Sequence, residues 1–128
     1  MPVIVQFGKL SSVVTPIKGP PFYEHWRETV PGGALTEVHS VTVPVGVGMP
    51  SWWLATIYAS GRINARVEVK RSGLVVFEGY IPVTGAPLIA SFSDGEIEAQ
   101  PGQDLTVSLI HDHAAPLDFF GALSGFKR

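Results

Sequence analysis

His111-Asp112-His113 is the arrangement in this 128-residue chain that most invites a metal ion. On a strand, residues two positions apart share a face, and two imidazoles on one face can grip Zn²⁺ or Fe²⁺. A third ligand would have to come from His25, His39 or another chain, because no histidine or glutamate follows His113. The alternative is a polar strand end running into Ala114-Ala115-Pro116, where both imidazoles hydrogen-bond or line an oligomer axis. The expectation is that neither a metal nor a cofactor is bound.

Other arrangements are weaker. Glu96 and Glu98 could form an acid–base pair of the glycosidase kind, but they alternate with Ile97 and Ala99 beside Asp94, as a solvated strand face would. Gly46-Val47-Gly48 lacks the following helix whose N-terminus would hold a phosphate. There is no cysteine and no Gly-x-Ser-x-Gly elbow; Ser124-Gly125 reads as a bulge or turn. No nucleophilic centre emerges, and the chain is expected not to be an enzyme. Trp52-Trp53 is the remaining candidate, as a sugar-stacking platform. Adjacent strand residues point to opposite faces, so at most one of the two lies in a core. The other is covered by the N-terminal segment, buried between subunits or exposed for stacking.

Composition narrows the partners. Nine Lys+Arg against eleven Asp+Glu give a formal charge of −2, unlike a protein that neutralises phosphates, so no nucleic-acid partner is expected. Charged residues are 16% of the chain and apolar ones 45%, against about 25% charged in ordinary domains. Such a charge-poor surface fits burial against other chains. No stretch approaches the roughly 20 apolar residues that span a bilayer, so no membrane partner is expected. The Met1–Val14 stretch lacks the basic start of a signal peptide, which points to synthesis in the cytoplasm.

The elements that must position these residues are strands. Ala65, Val67 and Val69 alternate with Arg66, Glu68 and Lys70, and Ser72-Gly73 turns the chain into Leu74–Ile81. Trp52, Leu54, Thr56 and Tyr58 are expected on one face of a strand, with Trp53, Ala55, Ile57 and Ala59 on the other. Leu88–Ser93, a hairpin at Asp94-Gly95, the run around Ile97–Ala99, Leu105–Leu109 and Phe119–Phe126 follow. Val41, Val43 and Val45 form the first alternating run. This predicts an all-β antiparallel sandwich, jelly-roll-like, of about eight strands over 38–128. Residues 1–37 read as an irregular arm or edge segment. Val3–Phe7 and Ser11–Thr15 are strand-like, and Pro16, Pro20, Pro21 and Pro31 exclude a long helix and a central strand. Its aromatics Phe22, Tyr23 and Trp26 pack either on its own sandwich or on a neighbouring subunit.

The order of features from Val41 to Lys127 resembles small β-sandwich virion proteins of tailed bacteriophages, of the capsid cement or decoration kind. It comprises Thr42-Val43-Pro44-Val45-Gly46, the aromatic strand Trp52–Ser60, Arg62 to Val69, Leu74–Phe77, Pro101 to Val107, and Ala122-Leu123-Ser124-Gly125-Phe126. In place of a polar Asn-rich loop before the last strand stands His111 to Pro116. The resemblance implies a virion structural protein, a homotrimer that stabilises the shell by contacts with the major capsid protein or other virion subunits. Phe22, Tyr23, Trp26, Trp52, Trp53, His111 and His113 are the candidate contact residues. The alternative is a carbohydrate-binding β-sandwich of a phage tail or receptor-binding component.

Overall fold

The computed structural model describes residues 19–83, 86–93 and 95–128. The pieces expected at Val3–Phe7 and Ser11–Thr15, and Asp94 of the expected hairpin, lie outside them. The described residues form nine strands and no helix: β1 (Pro21–Val30), β2 (Thr36–Thr42), β3 (Trp52–Gly61), β4 (Ala65–Arg71), β5 (Leu74–Ile81), β6 (Leu88–Ser91), β7 (Ile97–Ala99), β8 (Asp104–Ile110) and β9 (Leu117–Lys127).

The pairing is nested. β4 pairs with β5, β3 with β6 and β7, β2 with β8 and β1 with β9, all antiparallel. This is one long hairpin, and the further pairs β3–β9 and β4–β8 roll it into two sheets, β1-β9-β3-β6 with β7 also on β3, and β2-β8-β4-β5. β6 runs beside Thr56–Ala59 and β7 beside Trp52–Leu54. The two are halves of one edge strand, so the nine strands make the eight of a jelly roll. The chain around Gly95 is therefore not a hairpin between paired strands but an excursion from one edge. Phe92 N–H tethers it by donating to the Ala55 carbonyl at 2.8 Å.

Inward side chains from both sheets form one core, including Val30, Ile57, Val67, Val69, Ile81, Leu105, Val107, Leu109, Phe119 and Leu123. Ala65, Val67 and Val69 point inward as expected, and Ser72 (φ 48°) and Gly73 (φ 88°) turn the β4–β5 hairpin with two left-handed residues. The Val41–Val45 alternation does not run its length, because β2 ends at Thr42; Val43 is buried and Val45 is exposed.

Two expectations are corrected. On β3, Ile57 and Ala59 face the core together with Trp52 and Leu54. The register against β9 slips between Leu54 and Thr56, and the extra residue, Ala55, moves every later side chain to the other face. Ser124 and Gly125, read as a bulge or turn, are the β9 residues opposite that slip. Second, of the two readings of 1–37, the irregular arm gives way to the edge segment over the described residues: Pro21–Val30 is a regular ten-residue strand of the sandwich, and β2 already begins at Thr36. The prolines bracket β1 rather than break it: Pro21 begins the strand, and the Pro20 carbonyl accepts from Lys127 N–H at 2.7 Å. β1 lies at the sheet edge, where a proline at the strand start is tolerated.

Candidate functional site

The histidine motif forms a structural clasp. β8 stops at Ile110, so His111 and His113 do not project from one strand face as two metal ligands would. His111 is 2% exposed. Its Nε2–H donates to the Val30 carbonyl at 2.7 Å, and its Nδ1 accepts from His113 N–H at 3.1 Å. These bonds fix the neutral tautomer and occupy both ring nitrogens. The Gly33 N–H donates to the His111 carbonyl at 2.8 Å, and the His113 ring accepts from Ala115 N–H at 3.1 Å. The motif thus ties the β1–β2 crossing to the β8–β9 loop. No cluster of three metal-ligating side chains occurs among the described residues.

The glutamates are separately engaged. Glu96 accepts from the Ser93 N–H at 3.1 Å, and Glu98 accepts from the Ser51 hydroxyl at 2.6 Å. Glu24, on the core-facing side of β1, reaches His39 of the other sheet at 3.0 Å. Arg66 lies within 3.3 Å of Glu68 and 3.5 Å of Glu78. The 210 Å³ hollow that Arg66 lines with Asn64, Tyr80 and Asp112 therefore already contains a neutralised cation.

Three expected contact residues belong to the protein's own core. Phe22 stacks on Trp52 with centroids 4.5 Å apart, and Trp26 is 6% exposed. These rings, offered as contact residues, are packed within this chain's own fold. His111 is likewise interior. Trp53 is half-buried: the Arg128 guanidinium lies 4.7 Å over its ring and its Nε1–H donates to the Arg128 carbonyl at 3.2 Å. Neither indole is an open stacking platform. Of the seven residues, Tyr23 and His113 remain exposed.

An exposed groove lies elsewhere, on the outer face of the β1-β9-β3-β6 sheet. The register sets His25, Ala122, Tyr58 and Ile89 in one row across four strands. Tyr23 and Ser124 lie in the next row, and Arg27, Phe120 and Ser60 in the row on the other side. Tyr23, His25, Arg27, Tyr58 and Phe120, with Gly121 of β9 among them, line a groove of about 470 Å³. Tyr23 is 65% exposed and pairs with His25 at 5.6 Å. Phe120 lies 6.3 Å from Tyr58, with the Arg27 guanidinium 5.4 Å from its centroid. Tyr23 was singled out by residue type alone. His25 entered only as a possible ligand, Tyr58 only as a member of a strand face, and Arg27 and Phe120 went unremarked.

A second exposed feature is apolar. The β2–β3 loop presents Val45, Val47 and Met49, with Val47 fully exposed. Val43 N–H donates to the Gln103 carbonyl, Asp104 accepts from both the Thr42 hydroxyl and the Ser72 N–H, and Leu74 pairs with Arg71, so exposed Leu74 lies at the same end of the sandwich.

No family model matches the chain, and no curated protein matches it. Three solved structures are similar in shape. PirA has 13% identity and a TM-score of 0.47, over 83% of this chain and 93% of that one. The insecticidal delta-endotoxin Cry8Ea1 of Bacillus thuringiensis has 12% identity and a TM-score of 0.45, over 86% of this chain and 20% of its own length. The CBM36-1 domain of a multidomain xylanase from the hindgut metagenome of Trinervitermes trinervoides has 12% identity and a TM-score of 0.42, over 79% of this chain and 96% of that domain. This chain therefore spans about a fifth of the endotoxin's length.

Proposed function

We propose that this chain is a structural, non-catalytic protein of a tailed-phage virion that stabilises a shell by subunit–subunit contacts, in the manner of a homotrimeric capsid decoration protein. The observation that carries this reading is the exposed aliphatic end formed by Val45, Val47, Met49 and Leu74. Apolar side chains exposed to water favour association, at roughly 25 cal/mol per Å² removed from solvent. The charge-poor composition and the order of sequence features from Val41 to Lys127 support the same reading. Its partners would be copies of itself and the major capsid protein or another virion subunit, and recognition would rest on burial and shape.

Mass spectrometry of purified virions tests this directly. The chain is expected in particles at a fixed stoichiometry to the major capsid protein. Its absence from washed particles, with the protein recovered only from the soluble lysate, would overturn the reading.

A further inference from the structure

We infer that the groove on the outer face of the β1-β9-β3-β6 sheet is a binding site for an acidic glycan, one bearing uronate or sialate carboxylates. This goes beyond the assembly role, which uses the apolar end of the sandwich.

The shape comes from the register. Gly121 of β9 lies between Tyr23, His25 and Arg27 of β1 on one side and Tyr58 of β3 on the other. With strands about 4.8 Å apart, β1 and β3 stand about 10 Å apart across β9, a span on the scale of one pyranose ring. The C–H faces of sugars are apolar and pack on aromatic rings, which Tyr23, Tyr58 and Phe120 supply. Tyrosines present such area with little rotamer entropy to lose. The polar rim consists of the Tyr23 and Tyr58 hydroxyls, the His25 ring and the Arg27 guanidinium, which can hydrogen-bond to sugar hydroxyls.

Charge selects the acid class. Among the described residues that line the groove, none carries a carboxylate. Arg27 makes no ion pair with any described residue; its guanidinium rests on the Phe120 ring. The nearest acid of that face in β9, Asp118, accepts from the Thr29 hydroxyl at 2.5 Å. A planar guanidinium held on an aromatic ring presents paired N–H donors that match a carboxylate bidentately. A second copy of this chain fits less well. A two-fold face-to-face contact would set each patch against itself, bringing Arg27 and His25 toward their own copies.

The test is a glycan microarray carrying uronate-bearing, sialate-bearing and neutral oligosaccharides, probed with the full chain and followed by calorimetric titration of the strongest binder. Binding to acidic glycans is expected. Tyr23→Ala and Arg27→Ala, both at exposed positions, should each weaken it by about tenfold or more while leaving the thermal midpoint unchanged. Arg27→Lys should recover part of the loss. Binding to no glycan or only to neutral ones would overturn the inference. So would affinity undiminished in both alanine variants, or equal affinity for poly(dT), which would mark simple polyanion attraction.

Discussion

Trp26 lies directly across the sheet from Gly121, and its indole occupies the space that a side chain on that glycine would need. Phe22 stands in the same relation to Gly125. The β1 aromatics and the β9 glycines are thus one packing unit: the absent Cβ atoms let two large rings lie flat on the central strand and fill the core from its edge. Such ring-over-glycine pairs also fix register, because a slip would put the rings over side chains.

Gly121→Ala should therefore be strongly destabilising although alanine is small. Its Cβ would stand 2.2 Å from the Tyr58 carbonyl oxygen and 2.6 Å from Trp26 Cζ2. Overpacking of this kind costs about 1–3 kcal/mol, and a backbone obstacle places this case at the upper end. Urea denaturation should show a lower midpoint with an unchanged slope. Trp26→Ala alone should cost about 3–5 kcal/mol, and the double variant less than the sum. A midpoint like that of the wild type in Gly121→Ala would contradict the register.

The histidine clasp gives a second outcome. His111→Ala leaves the buried Val30 carbonyl and the His113 N–H without their partners, which should cost about 1–3 kcal/mol for each group left unsatisfied. His113→Ala, at an exposed position, should cost well under that. Because both His111 nitrogens are engaged by backbone, chelator or added Zn²⁺ should leave the thermal midpoint where it was; a ligand bound at 100 times its Kd would raise stability by about 2.7 kcal/mol.

Tryptophan fluorescence separates the three indoles. Trp26 and Trp52 are each 6% exposed, whereas Trp53 is only half-buried. Acrylamide should quench a minor fraction of the wild-type emission, and Trp53→Phe should remove that fraction. If Trp52→Phe removed it instead, the face assignment of β3 would be wrong.

How much of this was legible in the sequence depended on where each signal was written. β4 and β8 were plain because alternation is a local fact, and β5 because the Ser72-Gly73 turn returns the chain. β3 was found but half its faces were reversed, since the slip at Ala55 carries no glycine or proline to mark it and depends on pairing with β9. β1 was obscured by its own spacing. Phe22, Trp26 and Val30 recur every four residues, with Glu24 and Glu28 on the same core-facing side, so a period of two was hidden behind a helical interval among prolines. The groove could not be read at all, because Tyr23, Tyr58 and Phe120 meet only through the registers of three strands distant in the chain. The histidines were visible, but their role depended on β8 ending one residue before His111.

The most direct test of the assembly account is sedimentation velocity of the full chain across micromolar concentrations, alone and with Val47→Lys and Met49→Lys together. The account predicts a wild-type homotrimer that the paired lysines convert to monomer without lowering the thermal midpoint of the fold. A wild-type protein that sediments as a monomer at every concentration, and identically to the lysine variant, would contradict it.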